Sequence, residues 1–63
     1  MTFSGHAVDR MQERGIPPSA VENAIKHGTA SAGHNPGTTV HWDPVNKINV
    51  ITDAKTGRVI TVW

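Results

Sequence analysis

The run Gly15-Ile16-Pro17-Pro18 divides the chain at a point that neither a helix nor a strand can cross. Proline lacks the backbone N–H that a helix interior donates, and it biases the residue before it toward extended geometry. Glycine accepts the left-handed conformation in which helices commonly end. One helix must therefore stop near Arg14, and another can begin only beyond the prolines. The N-terminal half is confined to two short helices joined by a tight turn.

The first helix is expected from about Ser4 to Arg14. Phe3, Ala7 and Met11 recur at the spacing that places side chains on one helical face. Ser4 or Thr2 can cap its start, because a hydroxyl there accepts from the free amides of the first turn. The second helix reads from Ser19 as N-cap, with Glu22 three residues on completing a capping box. Val21, Ala24 and Ile25 form its apolar stripe. Lys26 and His27 suit the negative end of the helix dipole, and Gly28 closes the helix as the residue past its end. Ile16 is expected to plug the core between the two helices.

After Gly28 the period changes. Thr29 to Gly37 reads as a loop, with a short edge strand near Thr29 to Ala32. Three strands of a meander follow: Thr38 to Asp43, Lys47 to Thr52 and Arg58 to Trp63. Asp43-Pro44-Val45-Asn46 supplies one turn. Asp53 to Gly57 supplies the other, with Asp as turn initiator and Gly for a left-handed position. The expected fold is α+β: two N-terminal helices packed on a three- to four-stranded antiparallel sheet. At 63 residues there is room for a single domain, residues 1–63, and for only a marginal core. With no cysteine, disulfides and thiolate metal sites are excluded. Such a domain fits a fragment of a longer protein, or one steadied by a bound partner. No apolar run approaches the roughly 20 residues of a membrane helix, and no signal peptide is visible.

A formal net charge of +1 does not by itself point to nucleic acid. The distribution says more, because Arg10, Arg14 and Lys26 all fall in the helical half. At about 100° per residue, His6, Arg10 and Arg14 run together along one flank of the buried stripe. His6 and Arg10 are four apart, hence direct neighbours. An imidazole beside a guanidinium can act as general acid or base with a phosphate stabiliser. The same pair can equally be two solvated residues with buried stems. Thr61, between apolar neighbours, can donate to a phosphate or serve simply as a strand former. His41 is a reserve acid or base. Trp42 can stack an unpaired base or fill the core. Period two places Val40 and Trp42 opposite Thr39 and His41. It also places Ile60 and Val62 opposite Val59, Thr61 and Trp63 in a central or doubly covered strand. His27 reads as a dipole partner, and His34 has no partner in the pattern. The histidines lack metal-ligand spacing, and no phosphate loop or cofactor motif is present.

The stretch from Ser4 to Ile16, with its His6-Ala7…Arg10-Met11…Glu13-Arg14-Gly15-Ile16 pattern, is followed by Val21…Ala24-Ile25…Gly28 and a last strand Gly57 to Trp63. Together they resemble the DUF4258 family and related C-terminal toxin domains of the barnase–EndoU–colicin–RelE fold group. The resemblance covers nearly the whole chain and is weakest over Thr29 to Gly37. It implies a metal-independent RNase without cofactor, often aimed at tRNA, carried at the C-terminus of contact-dependent inhibition or Rhs-type effectors. Such effectors leave one bacterium and act in the cytoplasm of another. A cognate immunity protein blocks them, and a carrier protein can present the tRNA. On this chain the resemblance places the catalytic imidazole at His6, the phosphate stabiliser at Arg10 and the last-strand hydroxyl at Thr61. Arg14 also matches, as a substrate contact or as a structural tie. A non-catalytic RNA- or protein-binding module using the Arg10 and Arg14 flank is the alternative.

Overall fold

The computed structural model describes residues 1–63. Its order is α1 (Gly5–Arg14), α2 (Pro18–His27), β1 (Thr29–Ala32), β2 (Thr38–Asp43), β3 (Ile48–Asp53) and β4 (Val59–Val62). The strands form one antiparallel sheet in the order β1-β2-β3-β4, with both helices on one face. The fold is α+β with four strands, and α1 lies over β4 while α2 lies over β2 and β3.

Ser4 ties the start of α1 to the last strand. Its Oγ accepts from the Ala7 amide at 3.0 Å and donates to the Ile60 carbonyl at 2.6 Å. The Ser4 amide donates to Val59 O, and the Val59 amide donates to Thr2 O, each at 2.9 Å. The N-terminal segment thus runs parallel along the outer edge of β4. Strand β4 ends the sheet order and is covered on that edge by this segment. Gly15 ends α1 in the left-handed region at φ 66°, as its sequence position predicts.

Helix α2 starts differently from its sequence reading. Pro17 is the N-cap, Pro18 is the first helical residue, and no side chain caps the end. The Ser19–Glu22 capping box does not form, because proline's fixed φ already starts the helix two residues earlier. Glu22 instead pairs with Lys26 at 2.8 Å. Gly28 does not take a left-handed conformation either. It is extended, with φ −75° and ψ 173°, and its role is close approach to the Trp42 backbone.

The core is Ala7, Met11, Val21, Ala24, Ile48, Val50, Val59 and Val62, with Phe3, Ile16, Ala20 and Ile25 packed against it. Each fully buried valine contributes about 1.5 kcal/mol or more. The alternation read for β2 holds, but the face the helices cover is the one with Thr39 and His41, while β4 departs from its alternation. His41 pairs with Val50 and Thr39 with Thr52, so they lie on the helix-covered face. Val40 and Trp42 lie on the bare face. In β4 the register shifts at Ile51/Thr52: Thr61 opposes Ile51, whereas Val59 opposes Thr52. The bulge at Ile60 lets Val59 and Val62 both face the core, where strict alternation sets them apart.

Candidate functional site

The six side chains singled out from sequence fall into three places. His6, Arg10 and Arg14 occupy α1 beside the buried Ala7–Met11 stripe, and none of them is buried. His6 and Arg10 are one turn apart on a regular helix, so the neighbouring pair exists. Arg10 makes one ion pair, with Glu13, at 4.0 Å, and its side chain is 39% exposed. That contact is long and solvated, so it leaves the guanidinium available to an anion.

Thr61 and Trp42 share the bare face of the sheet. One row across the four strands is Ser31, Val40, Ile51 and Thr61, and the next contains Thr29, Trp42 and Asn49. Helix α1 covers the other side of β4, so the Thr61 hydroxyl does not meet the His6–Arg10 pair. Trp42 is 37% exposed on this face instead of filling the core. An indole beside hydroxyls and an amide is a surface on which a flat ring can stack.

His41 lies on the covered face, half-buried. Its Nε2 shares a 3.0 Å hydrogen bond with Thr52 Oγ1, and its Nδ1 is buried without a partner. Burial pushes the imidazole below its ordinary range. Protonation would also put a second buried N–H where no acceptor stands. A folded-state pKa below the unfolded one means that the unfolded chain takes up the proton first. His41 therefore supports stability above its unfolded pKa and withdraws that support as pH falls. Stability measured by urea unfolding is expected to drop as pH falls through and below the ordinary histidine range of about 6.5. His41→Gln should flatten that slope, and an equal slope in the variant would refute the assignment. A separate acid loss belongs to Asp43 and Asp53. Asn46 Nδ2 foremost holds the Asp43 carboxyl below the usual range, as the Thr56 and Lys55 amides hold Asp53. Their support disappears only below about pH 4.

The sequence reading missed a cleft of about 490 Å³ at the end of α1. Arg14 lines it together with Asn46, Lys47 and Trp63. Only Arg14 was legible as a candidate. The other three come from the β2–β3 turn and from the residue after β4, which nothing in their spacing joins to the helix. Neither Arg14 nor Lys47 has a carboxylate partner; the two ion pairs of the chain lie elsewhere. No three His, Asp or Glu side chains gather as metal ligands do. No helix is long and apolar enough to cross a membrane.

No curated protein and no solved structure matches the chain. One family does: the sequence profile of DUF4258, a domain of unknown function, matches residues 3–63. Since that match spans α1 through the end of β4, the chain belongs to the DUF4258 family.

Proposed function

We propose that this domain is a metal-independent ribonuclease of the toxin type. It cleaves RNA by attack of a ribose 2′-OH on the adjacent phosphate. The observation that carries the reading is the His6–Arg10 pair, adjacent, accessible and outside the core. His6 transfers the proton at the 2′-OH or at the leaving 5′ oxygen. Arg10 stabilises the charge that develops on the phosphorane. The internal nucleophile is already in position, so the chemistry needs orientation and proton transfer more than a metal. The toxin setting adds the remaining parts of the proposal: tRNA as substrate, a barnase–EndoU–colicin–RelE type of fold, and a cognate immunity protein. It also adds a carrier that can present the tRNA, and export to the cytoplasm of a target bacterium.

One observation favours the second reading, a non-catalytic module that binds RNA through the Arg10 and Arg14 flank. Thr61, expected in the site, stands on the sheet face opposite the helix that carries the pair, and His41 has its Nε2 engaged with Thr52 Oγ1 and its Nδ1 buried. Thr61 therefore supplies no partner for the pair, and neither ring nitrogen of His41 is free at the surface for proton transfer. Incubation of the purified domain with total tRNA in the absence of divalent ions decides between the readings. Fragments ending in 2′,3′-cyclic phosphate support the nuclease. Intact RNA that remains bound supports the module.

A further inference from the structure

Two rows of side chains cross the bare face of the sheet. Asn49 exchanges both backbone hydrogen bonds with Trp63, at 2.8 and 3.0 Å, and stands opposite Trp42 on its other side. Trp63 therefore extends the row of Thr29, Trp42 and Asn49, next to the row of Ser31, Val40, Ile51 and Thr61. None of these eight residues is charged. Both tryptophans of the chain stand here, 37% and 45% exposed, while the buried core holds no aromatic side chain. Contiguous exposed apolar surface of this kind marks a site of association.

We propose that this face is the interface of a symmetric homodimer. Charge separates a second copy from the other occupants. A nucleic-acid strand needs cations beside the rings that stack its bases, and the two rows supply none. A charged protein partner finds nothing here to pair with either. A second copy presents the same neutral surface, and at a net charge of +1 the copies repel each other only weakly.

Symmetry and size agree with this occupant. The N-terminal segment pairs along β4 at Phe3 and Val59, which leaves β3 central among five backbone segments. A two-fold axis along β3 at Asn49 sets Trp42 of each copy over Trp63 of the other, and the two Asn49 side chains against each other. A carboxamide both donates and accepts, so two of them can bond reciprocally. The asparagine side chains engaged within the chain are those of Asn23 and Asn46, and that of Asn49 is free to do so. Two sheets then pack face to face, about 10 Å apart and about 30° from parallel. A standard interface takes about 800 Å² from each partner, about a fifth of the 4086 Å² this chain exposes. The sheet is a broad side of a body 28 × 25 × 18 Å and can supply that area. The His6–Arg10 pair lies on the helix side and stays accessible in the dimer, so dimer and nuclease are independent of each other.

Interfaces of standard size reach micromolar affinity or better, so the whole chain should be mainly dimeric at about 100 μM in sedimentation equilibrium. As dilution dissociates the dimer, indole emission should move to the red, since both tryptophans lose their cover together. Trp42→Lys and Trp63→Lys should each weaken the dimer about a hundredfold or more, because each change acts twice across the axis. Circular dichroism should report an unchanged fold in both, as neither indole belongs to the core. Asn49→Asp should weaken the dimer comparably by setting two carboxylates face to face. Asn49→Leu should keep it, since both members of the amide pair are replaced at once. A chain that is monomeric at about 100 μM, a dimer that survives both lysine variants, or an Asn49→Asp dimer as tight as the wild type would each overturn the proposal. So would tRNA that quenches the indoles and dissolves the dimer, because the face would then belong to RNA.

Discussion

Gly28→Ala is expected to leave little of the domain folded at 25 °C. Gly28 has φ −75° and ψ 173°, which alanine adopts without difficulty, so the cause is space and not torsion. A Cβ at this position would collide with the Ala24 carbonyl oxygen and stand 2.6 Å from the Trp42 carbonyl oxygen. Both obstacles are backbone, one held in the last turn of α2 and the other in β2. Relief requires α2 to lift from the sheet that Val21 and Ala24 pack against. Overpacking costs about 1–3 kcal/mol where side chains can yield, and a backbone-limited collision falls at or beyond the upper end. A core of this size supplies only about 3–5 kcal/mol in total. Gly15→Ala is the comparison. Gly15 has open space around it but sits at φ 66°, so alanine there costs about 1 kcal/mol of left-handed strain. Denaturant unfolding followed by circular dichroism should find Gly28→Ala the more damaging of the two by a wide margin. Equal losses would mean that the turn between α2 and β1 is looser than the Trp42 contact implies.

The same turn marks where the sequence stops being readable. Up to His27 the signals are local: a serine hydroxyl over a helix start, a glycine past its end, and the apolar period of Ala7, Met11, Val21 and Ala24. They place both helices and the Asp53 to Gly57 hairpin, whose Asp53 carboxylate accepts from the Lys55 and Thr56 amides. The α+β class follows from those elements alone. The strands carry a different kind of ambiguity. Alternation in Thr38–Asp43 defines two faces but does not say which of them the helices cover. The larger apolar side chains, Val40 and Trp42, turned out to lie on the bare face. The helix side is already filled by Val50, Val59 and Val62, with His41 and Thr52 hydrogen-bonded to each other beside them. In β4 a single bulge reverses the expected relation of Val59 to Val62, and a bulge is a property of pairing that no one strand announces. The candidate site divides along the same line. His6, Arg10 and Arg14 were legible because they share one helix. Thr61 was not, because its side of the sheet depends on that bulge. Lys47 and Trp63 were not, because a cleft formed by a turn and a strand end has no sequence period.

His6→Ala is the substitution with the largest expected effect on activity. Loss of a positioned acid or base lowers a rate by about 10²–10⁴-fold, and tRNA cleavage without divalent ions should fall by that amount while the fold persists. His6 is exposed on the first turn of α1, and Ser4, not His6, holds the helix to Ile60, so unfolding is not an alternative explanation. Arg10→Ala should cost about 10²–10³-fold, the scale for a group that stabilises developing charge. If the two act on one phosphate, the double variant should lose much less than the product of the single losses, because each is useless without the other. Thr61→Val tests the geometry from the other side of β4: its hydroxyl faces the row of Ile51 and Val40, and its removal should leave the rate nearly unchanged. A Thr61→Val variant as inactive as His6→Ala would move the chemistry to the bare face of the sheet. A His6→Ala variant that still cleaves at the wild-type rate would remove the α1 pair from catalysis altogether.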